Sequence, residues 1–278
     1  MRIAYLGPAG TFTEDALGEA LEPGVECEPL RTATIREAIL AVERGEAERA
    51  LVPFENSIEG SVRTSLDTLA FDAGDVTIVG EHDFAVRAML VAREEIGLGE
   101  IERVLSHPQP LAQCARFLRE NLGSAAQESA PSTAEAVRTV SESEHPWAAI
   151  GAAAAAELYG CTVLREGIED EANNVTRFVW IAPKGTEPGE GKAWKTSLVF
   201  SELGEDHPGA LVEALQEFSG RAVNLSRIES RPLRRELGRY MFFCDLEGAL
   251  SEPPVSAAVD ALRGKAETVR ILGSYPTR

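Results

Sequence analysis

The chain is poor in the residues that announce metal, disulfide or nucleophile chemistry. Its four cysteines (Cys27, Cys114, Cys161, Cys244) are far apart and form no CxxC pair, so neither a zinc site nor a disulfide framework is indicated. Four histidines (His82, His107, His145, His207) are as dispersed, with no HExxH. Ser106 and His107 are adjacent and would point apart on a strand, which argues against a Ser–His pair. Long apolar runs are missing too. The longest small-apolar stretch, residues 148–156, is too short to span a bilayer. The strand-length run at residues 2–6 ends in a glycine loop without a signal-peptide cleavage site. A cytoplasmic protein is therefore expected. Lysine is scarce, at four residues, and the 45 acidic against 27 basic residues leave a formal charge of −18. Such a charge repels nucleic acid and anionic membranes, and scattered glutamate reads first as a solubilising surface.

What is present is the composition of a folded protein, with 44% hydrophobic and 26% charged residues in 278, a length that favours two domains. Strand-like and helical patterns alternate up to about residue 183. Strands are expected at 2–6, 50–53, 76–79, 84–91, 104–106 and 147–150, and helices at 11–21, 34–44, 62–69, 110–122, 132–141 and 152–159. Capping boxes at Thr34–Glu37 and Ser132–Glu135 mark two of the helix starts. The alternation predicts a mostly parallel α/β region. It is expected to divide into two lobes, about 1–80 plus 163–183 and 81–162, with a cleft between them. Residues 184–193, rich in glycine and broken by Pro188, read as a linker. Residues 194–278 follow the order βαββαβ, which suggests a ferredoxin-like domain.

Three polar segments sit where strand-like runs end: Val52-Pro-Phe-Glu-Asn-Ser-Ile-Glu-Gly60, Ser106-His-Pro-Gln-Pro-Leu-Ala-Gln-Cys114 and Asn174-Val-Thr-Arg-Phe178. Open α/β sheets place ligands at such positions, and these uncharged donors with one arginine suit a small polyanion. Gly7-Pro-Ala-Gly-Thr11 ahead of a helix is either an anion site or an ordinary glycine-rich turn. It lacks the lysine of a P-loop.

Taken in order along the chain, GPAGTFTE (7–14), VPFENSIEG (52–60), SHPQPLAQC (106–114), Ser132-Thr133 and TRF (176–178) resemble the signatures of the prephenate dehydratase family. Gly209-Ala-Leu-Val212 and Asn224-Leu-Ser-Arg-Ile-Glu-Ser-Arg-Pro232 resemble the phenylalanine-binding segments of its C-terminal ACT regulatory domain. The resemblance implies a bilobal, periplasmic-binding-protein-like catalytic region followed by that domain. It implies decarboxylative dehydration of prephenate to phenylpyruvate, without metal or organic cofactor. Thr176 is the implied partner of the departing hydroxyl. Thr11, Asn56, Ser57, Ser106, Gln113 and Thr133 are the implied neutral donors. Glu55 is either an acid or an organiser of its loop, Arg177 either pairs with a carboxylate or braces the loop, and Phe178 packs beneath the substrate or in the core. Phenylalanine is the implied effector, bound by Gly209, Ala210, Leu211, Asn224, Glu229, Ser230, Arg231 and Pro232. A homodimer or homotetramer is implied, and with a first strand starting at Arg2 no chorismate mutase segment is expected ahead of it. Arogenate dehydratase, or a non-catalytic small-anion sensor, are the alternatives.

Overall fold

The computed structural model describes residues 1–21, 24–204 and 208–277, and His207 lies outside them. Two sheets organise the chain. In spatial order the larger contains Leu225–Pro232, Tyr240–Glu247, Ala193–Ser201, Thr268–Thr277, Val76–Ala85, Val175–Pro183, Arg49–Asn56, Arg2–Leu6 and Glu28–Thr32, with Gly60–Ser61 beside Arg49–Asn56. The smaller contains Thr162–Glu166, Met89–Ala92, Trp147–Gly151, Arg103–Ser106 and Ala126–Ser129. Helices cover these sheets. Those begun by the two capping boxes form as expected: Thr34 accepts from the Glu37 N–H at 3.1 Å and Ser132 from the Glu135 N–H at 3.0 Å. No helix among the described residues is long and apolar enough to cross a membrane.

Parallel pairing holds for Arg2–Leu6 against both its neighbours, but Val175–Pro183 runs antiparallel to Arg49–Asn56 and Val76–Ala85. That strand re-enters the first lobe directly from the second, without the crossover helix that parallel pairing requires. The crossings also fall later than the expected boundaries at 80/81 and 162/163. Ladder pairing carries the polar run Glu81–Asp83 inside the first sheet, and Thr162–Glu166 pairs with Met89–Ala92 in the second. The return crossing therefore follows Glu166. The helix expected over 110–122 is two, Pro108–Gln113 and Ala115–Asn121, because the Asp170 carboxylate accepts from the Arg116 and Phe117 N–H groups and starts the chain afresh after Cys114.

The described residues 193–204 and 208–277 form the βαββαβ unit, with helices Ala210–Ser219 and Pro253–Arg263 packed on one core that includes Leu198, Phe200, Phe218 and Leu262. This unit is welded to the first lobe. Thr268–Thr277 meets Val76–Ala85 in parallel at Gly273 and Ile78, where a Cβ on Gly273 would lie 2.2 Å from the Ile78 carbonyl oxygen, so only glycine fits the unchanged backbone. Apolar packing crosses the same seam: Val199, Phe243, Leu272 and Tyr275 share a core with Ile39, Phe54 and Leu66.

Candidate active site

Between the two lobes lies a cleft of about 620 Å³. Its first-lobe wall is built by the glycine loop with Thr11 and Phe12, by Asn56, and by Asn174, Thr176 and Phe178. Its second-lobe wall is built by His107, Gln113, Ser132 and Thr133. No lysine or arginine is among the lining residues, and Glu135, the carboxylate there, is held by Arg138 in the same helix at 3.0 and 2.5 Å. Two helices of nine residues each, Phe12–Ala20 and Thr133–Ser141, begin at this cleft from opposite lobes. Their first-turn amides and dipoles make the cleft favourable to anions in the absence of a formal cation.

Thr176 and Asn56 face each other across neighbouring strands, and the bond between them sets the polarity of the site. Asn56 Nδ2 donates to Thr176 Oγ1 at 2.9 Å, to Asn174 Oδ1 at 2.8 Å and towards the Val175 carbonyl at 3.3 Å, while its Oδ1 accepts from the Ile58 and Glu59 N–H groups, each at 2.9 Å. The amide is thus spent on the protein. Since Thr176 Oγ1 is an acceptor in its only hydrogen bond among the described residues, its own proton is left for a ligand in the cleft. Asn174, 3% exposed, passes the chain onward: its Nδ2 donates to Gln113 Oε1 at 3.2 Å, and Gln113 Nε2 donates to Glu59 at 3.3 Å. This relay joins both lobes through the return crossing.

The sequence reading is corrected at several positions. Asn56 lines the cleft, yet it positions Thr176 where a free donor was expected. Ser106 is fully buried and donates to the Ile150 carbonyl at 2.7 Å, holding two strands of the second sheet together. Ser57 donates to the Asn173 carbonyl at 2.6 Å and accepts from the Val175 N–H, so it fastens the return crossing outside the cleft wall. Arg177 and Glu55 are cross-strand neighbours on the face away from the cleft, as side-chain alternation demands beside Thr176 and Asn56. Arg177 meets Asp245 at 2.6 Å, Glu55 at 3.2 Å and Glu81 at 3.4 Å. Burial, the largest single influence, works against its charge, but Asp245, Tyr275 and Glu81 together outweigh it and hold the guanidinium above its ordinary pKa. Thr11, Gln113, Thr133 and Phe178 do line the cleft. Phe178 is 3% exposed and packs edge-on to Phe84, so its role there is support.

Three residues that sequence reasoning left unassigned shape the site. Asn174 opens the third motif and was not singled out, although a buried amide beside Thr176 is the kind of group that must find partners. Glu14 braces the glycine loop, accepting from the Gly10 N–H, Tyr5 and Arg31 at 2.5 to 2.7 Å. Burial would raise its pKa, but these three donors win and lower it. Asp15 accepts from the Ala154 N–H at 3.2 Å across the lobe contact, where burial lifts its pKa to about 6. The alanine-rich segment opposite lets Gly10 approach closely, with Ala155 only 3.0 Å from where a Cβ would sit.

In the C-terminal unit, Gly209, Ala210 and Leu211 line a second pocket of about 400 Å³, together with Leu203, Tyr240 and Phe242. Gly209 starts the helix with φ +104°, a left-handed value that a β-branched residue resists. The other expected effector residues are not part of this pocket in one copy of the chain. Asn224 donates to Glu247, Glu229 accepts from Ser61, and Arg231 grips Asp67 at 2.7 Å. Ser230 and Pro232 lie on the same strand, Leu225–Pro232, which docks against the first lobe through the Glu229 and Arg231 contacts.

Comparison with known proteins agrees with this architecture. The family model for prephenate dehydratase matches residues 3–186 and that for the ACT domain residues 202–264. A prephenate dehydratase of Mycobacterium sp. (strain JLS) is 42% identical over 99% of this chain and 89% of its own length. An arogenate dehydratase/prephenate dehydratase 2 of Arabidopsis thaliana is 37% identical over 99% of this chain and 73% of its own length. The structure of a prephenate dehydratase of Arthrobacter aurescens in complex with L-Phe superposes with a TM-score of 0.90 at 38% identity, over 99% of this chain and 90% of that one. A structure described as a quorum-quenching acylase superposes with a TM-score of 0.87 at 34% identity, covering 100% of this chain and 98% of that one. With matches to both domain models and to relatives along its whole length, the chain belongs to the prephenate dehydratase family and carries a C-terminal ACT domain.

Proposed function

We propose that this protein converts prephenate to phenylpyruvate, with Thr176 hydrogen-bonding the departing ring hydroxyl. The observation that carries the proposal is the Asn56 N–H donated to Thr176 Oγ1, which leaves the threonine proton directed to a ligand in a cleft without lysine or arginine. Prephenate brings two carboxylates, and the helix starts at Phe12 and Thr133 offer each an amide-rich pole. A guanidinium on the ring carboxylate would stabilise charge that decarboxylation must disperse, so weaker neutral donors favour the transition state over the ground state. In the reaction the bond from ring carbon to carboxylate breaks and its electron pair enters the ring. The bond from carbon to hydroxyl breaks in turn, and the hydroxyl leaves as water with one proton gained. Thr176 either relays that proton or holds the leaving oxygen, since an alkyl alcohol is too weak an acid to give it up outright.

The reading takes the keto substrate over its amino counterpart, arogenate, because Glu135, the carboxylate among the described lining residues, is already paired with Arg138. Presenting both substrates in competition tests this. Formation of phenylpyruvate from prephenate by the purified chain separates catalysis from anion sensing or acylase chemistry, and its absence would overturn the proposal.

Phenylalanine as effector is supported by the pocket at Gly209–Leu211, where the amides opening helix Ala210–Ser219 suit a carboxylate and Leu203, Leu211 and Phe242 suit a ring. Gly209→Val is expected to cancel an inhibition of about 5- to 150-fold, the usual span of such coupling, while uninhibited turnover persists. Calorimetric binding of phenylalanine equal to wild type in that variant would displace the site. The reading includes a homodimer or homotetramer, supported by the edge strand Leu225–Pro232, with Ile228 and Tyr240 47% and 44% exposed beside it. A cytoplasmic location completes the reading.

A further inference from the structure

We propose that Arg177 is a positioning residue that ties the Thr176 hydroxyl to the seating of the ACT domain, with Asp245 as the ACT end of the link. The inference rests on the catalytic reading of Thr176. Its geometry comes from two adjacent strands. Thr176 pairs with Asn56 and presents to the cleft, while the next pair along, Arg177 and Glu55, presents to the opposite face. That second pair is held by the ACT domain: Arg177 Nη2 donates to Asp245 at 2.6 Å, and Arg227 Nε lies 3.7 Å from Glu55. Asp245 is 1% exposed and fixed in turn by the Ser197 hydroxyl at 2.6 Å, which meets Tyr275 at 2.8 Å. Glu81, on the neighbouring strand, accepts from Arg177 at 3.4 Å and from Lys195 of the ACT domain at 2.7 Å.

The register slips by one residue beside this pair, so the Phe54 ring lies under both guanidinium groups, 5.1 Å from Arg177 and 5.2 Å from Arg227. Side chains so confined cannot follow a moving partner by changing rotamer. A shift of the ACT domain is therefore passed to the strand backbone, one residue from Thr176 on one strand and one from Asn56 on the other. Ser61, the cross-strand neighbour of Glu55, meets Arg227 and Glu229 and belongs to the same link, whereas Arg231 with Asp67 and Thr77 with the Leu272 carbonyl attach farther along the chain and act as fasteners.

The test is steady-state kinetics of full-length Asp245→Asn and Asp67→Asn on prephenate, with and without phenylalanine, beside calorimetric phenylalanine binding. Asp245→Asn is expected to lower kcat about tenfold with KM within about twofold, the pattern of a group acting only in the transition state. Phenylalanine should still bind it, with its effect on turnover largely lost. Asp67→Asn should lower Tm and leave kcat and inhibition at wild-type values. The proposal is overturned if Asp245→Asn keeps wild-type kcat and inhibition, or if both aspartate variants change alike. Should Asp245→Asn not fold, Ser197→Ala, which only loosens Asp245, must show the same kcat loss and uncoupling in smaller measure, and wild-type behaviour there overturns the link. A wild-type protein inert towards prephenate would instead remove the catalytic reading beneath it.

Discussion

Thr176→Val is expected to lower kcat by about 10²-fold or more while KM changes little, the scale of losing one positioned donor in the transition state. Valine keeps the branched shape, so the strand pairing with Asn56 and Phe84 survives the change. The loss has two parts. The proton available to the leaving hydroxyl disappears, and the Asn56 amide, already 2.8 Å from Asn174, loses one of its acceptors. Thr176→Ser, which retains the hydroxyl, should recover much of the rate. Full turnover by a folded valine variant would eliminate the assigned role.

Asn56→Asp should be as damaging, at about 10²- to 10³-fold in kcat, although it replaces one nitrogen by oxygen. One carboxylate oxygen can still accept from the Ile58 and Glu59 N–H groups, so the loop is kept. The other oxygen replaces the donor that faces Thr176 Oγ1 and Asn174 Oδ1, and it now takes the threonine proton for itself. Thr176 would then be an acceptor towards the substrate, and the added charge repels a dianion, so KM rises as well. As pH falls and the new carboxyl protonates, it can donate again and kcat should partly return. A flat pH profile with wild-type kcat would show that the orientation of the Thr176 proton does not matter.

Much of this molecule is readable from local sequence, and its misreadings share one cause. The capping boxes at Thr34 and Ser132 act within four residues, so they were legible. The break at Cys114 was not, because the capping Asp170 lies 54 residues beyond the Arg116 N–H it receives. Glu28–Thr32 and Ala126–Ser129 escaped notice for another reason: they are mostly exposed edge strands, with no apolar alternation to betray them. The position of Arg177 was legible in principle. Once residues 175–183 read as a strand, alternation forbids Thr176 and Arg177 from sharing one cleft. What alternation cannot reveal is the partner, Asp245, which reaches Arg177 only because two domains form one sheet. In the same way Ser57 and Ser106 match the family motif by letter, while their bonds to the Asn173 and Ile150 carbonyls give them architectural work.

The junction at Gly273 and Ile78 bears on how such a protein could be taken apart. A polypeptide ending at Pro183 would not be an unregulated version of the same catalyst. Strand Val76–Ala85 would lose its ladder partner at Gly273 and the strands beyond it, leaving a sheet edge open to another chain, an invitation to aggregate. Arg177 would lose Asp245, Glu81 would lose Lys195, and the apolar face under Leu272 and Tyr275 would be wetted. Domain shuffling usually trades in pieces that carry their own borders; here the border is shared, so the two parts can be exchanged between relatives only as a matched set along that seam.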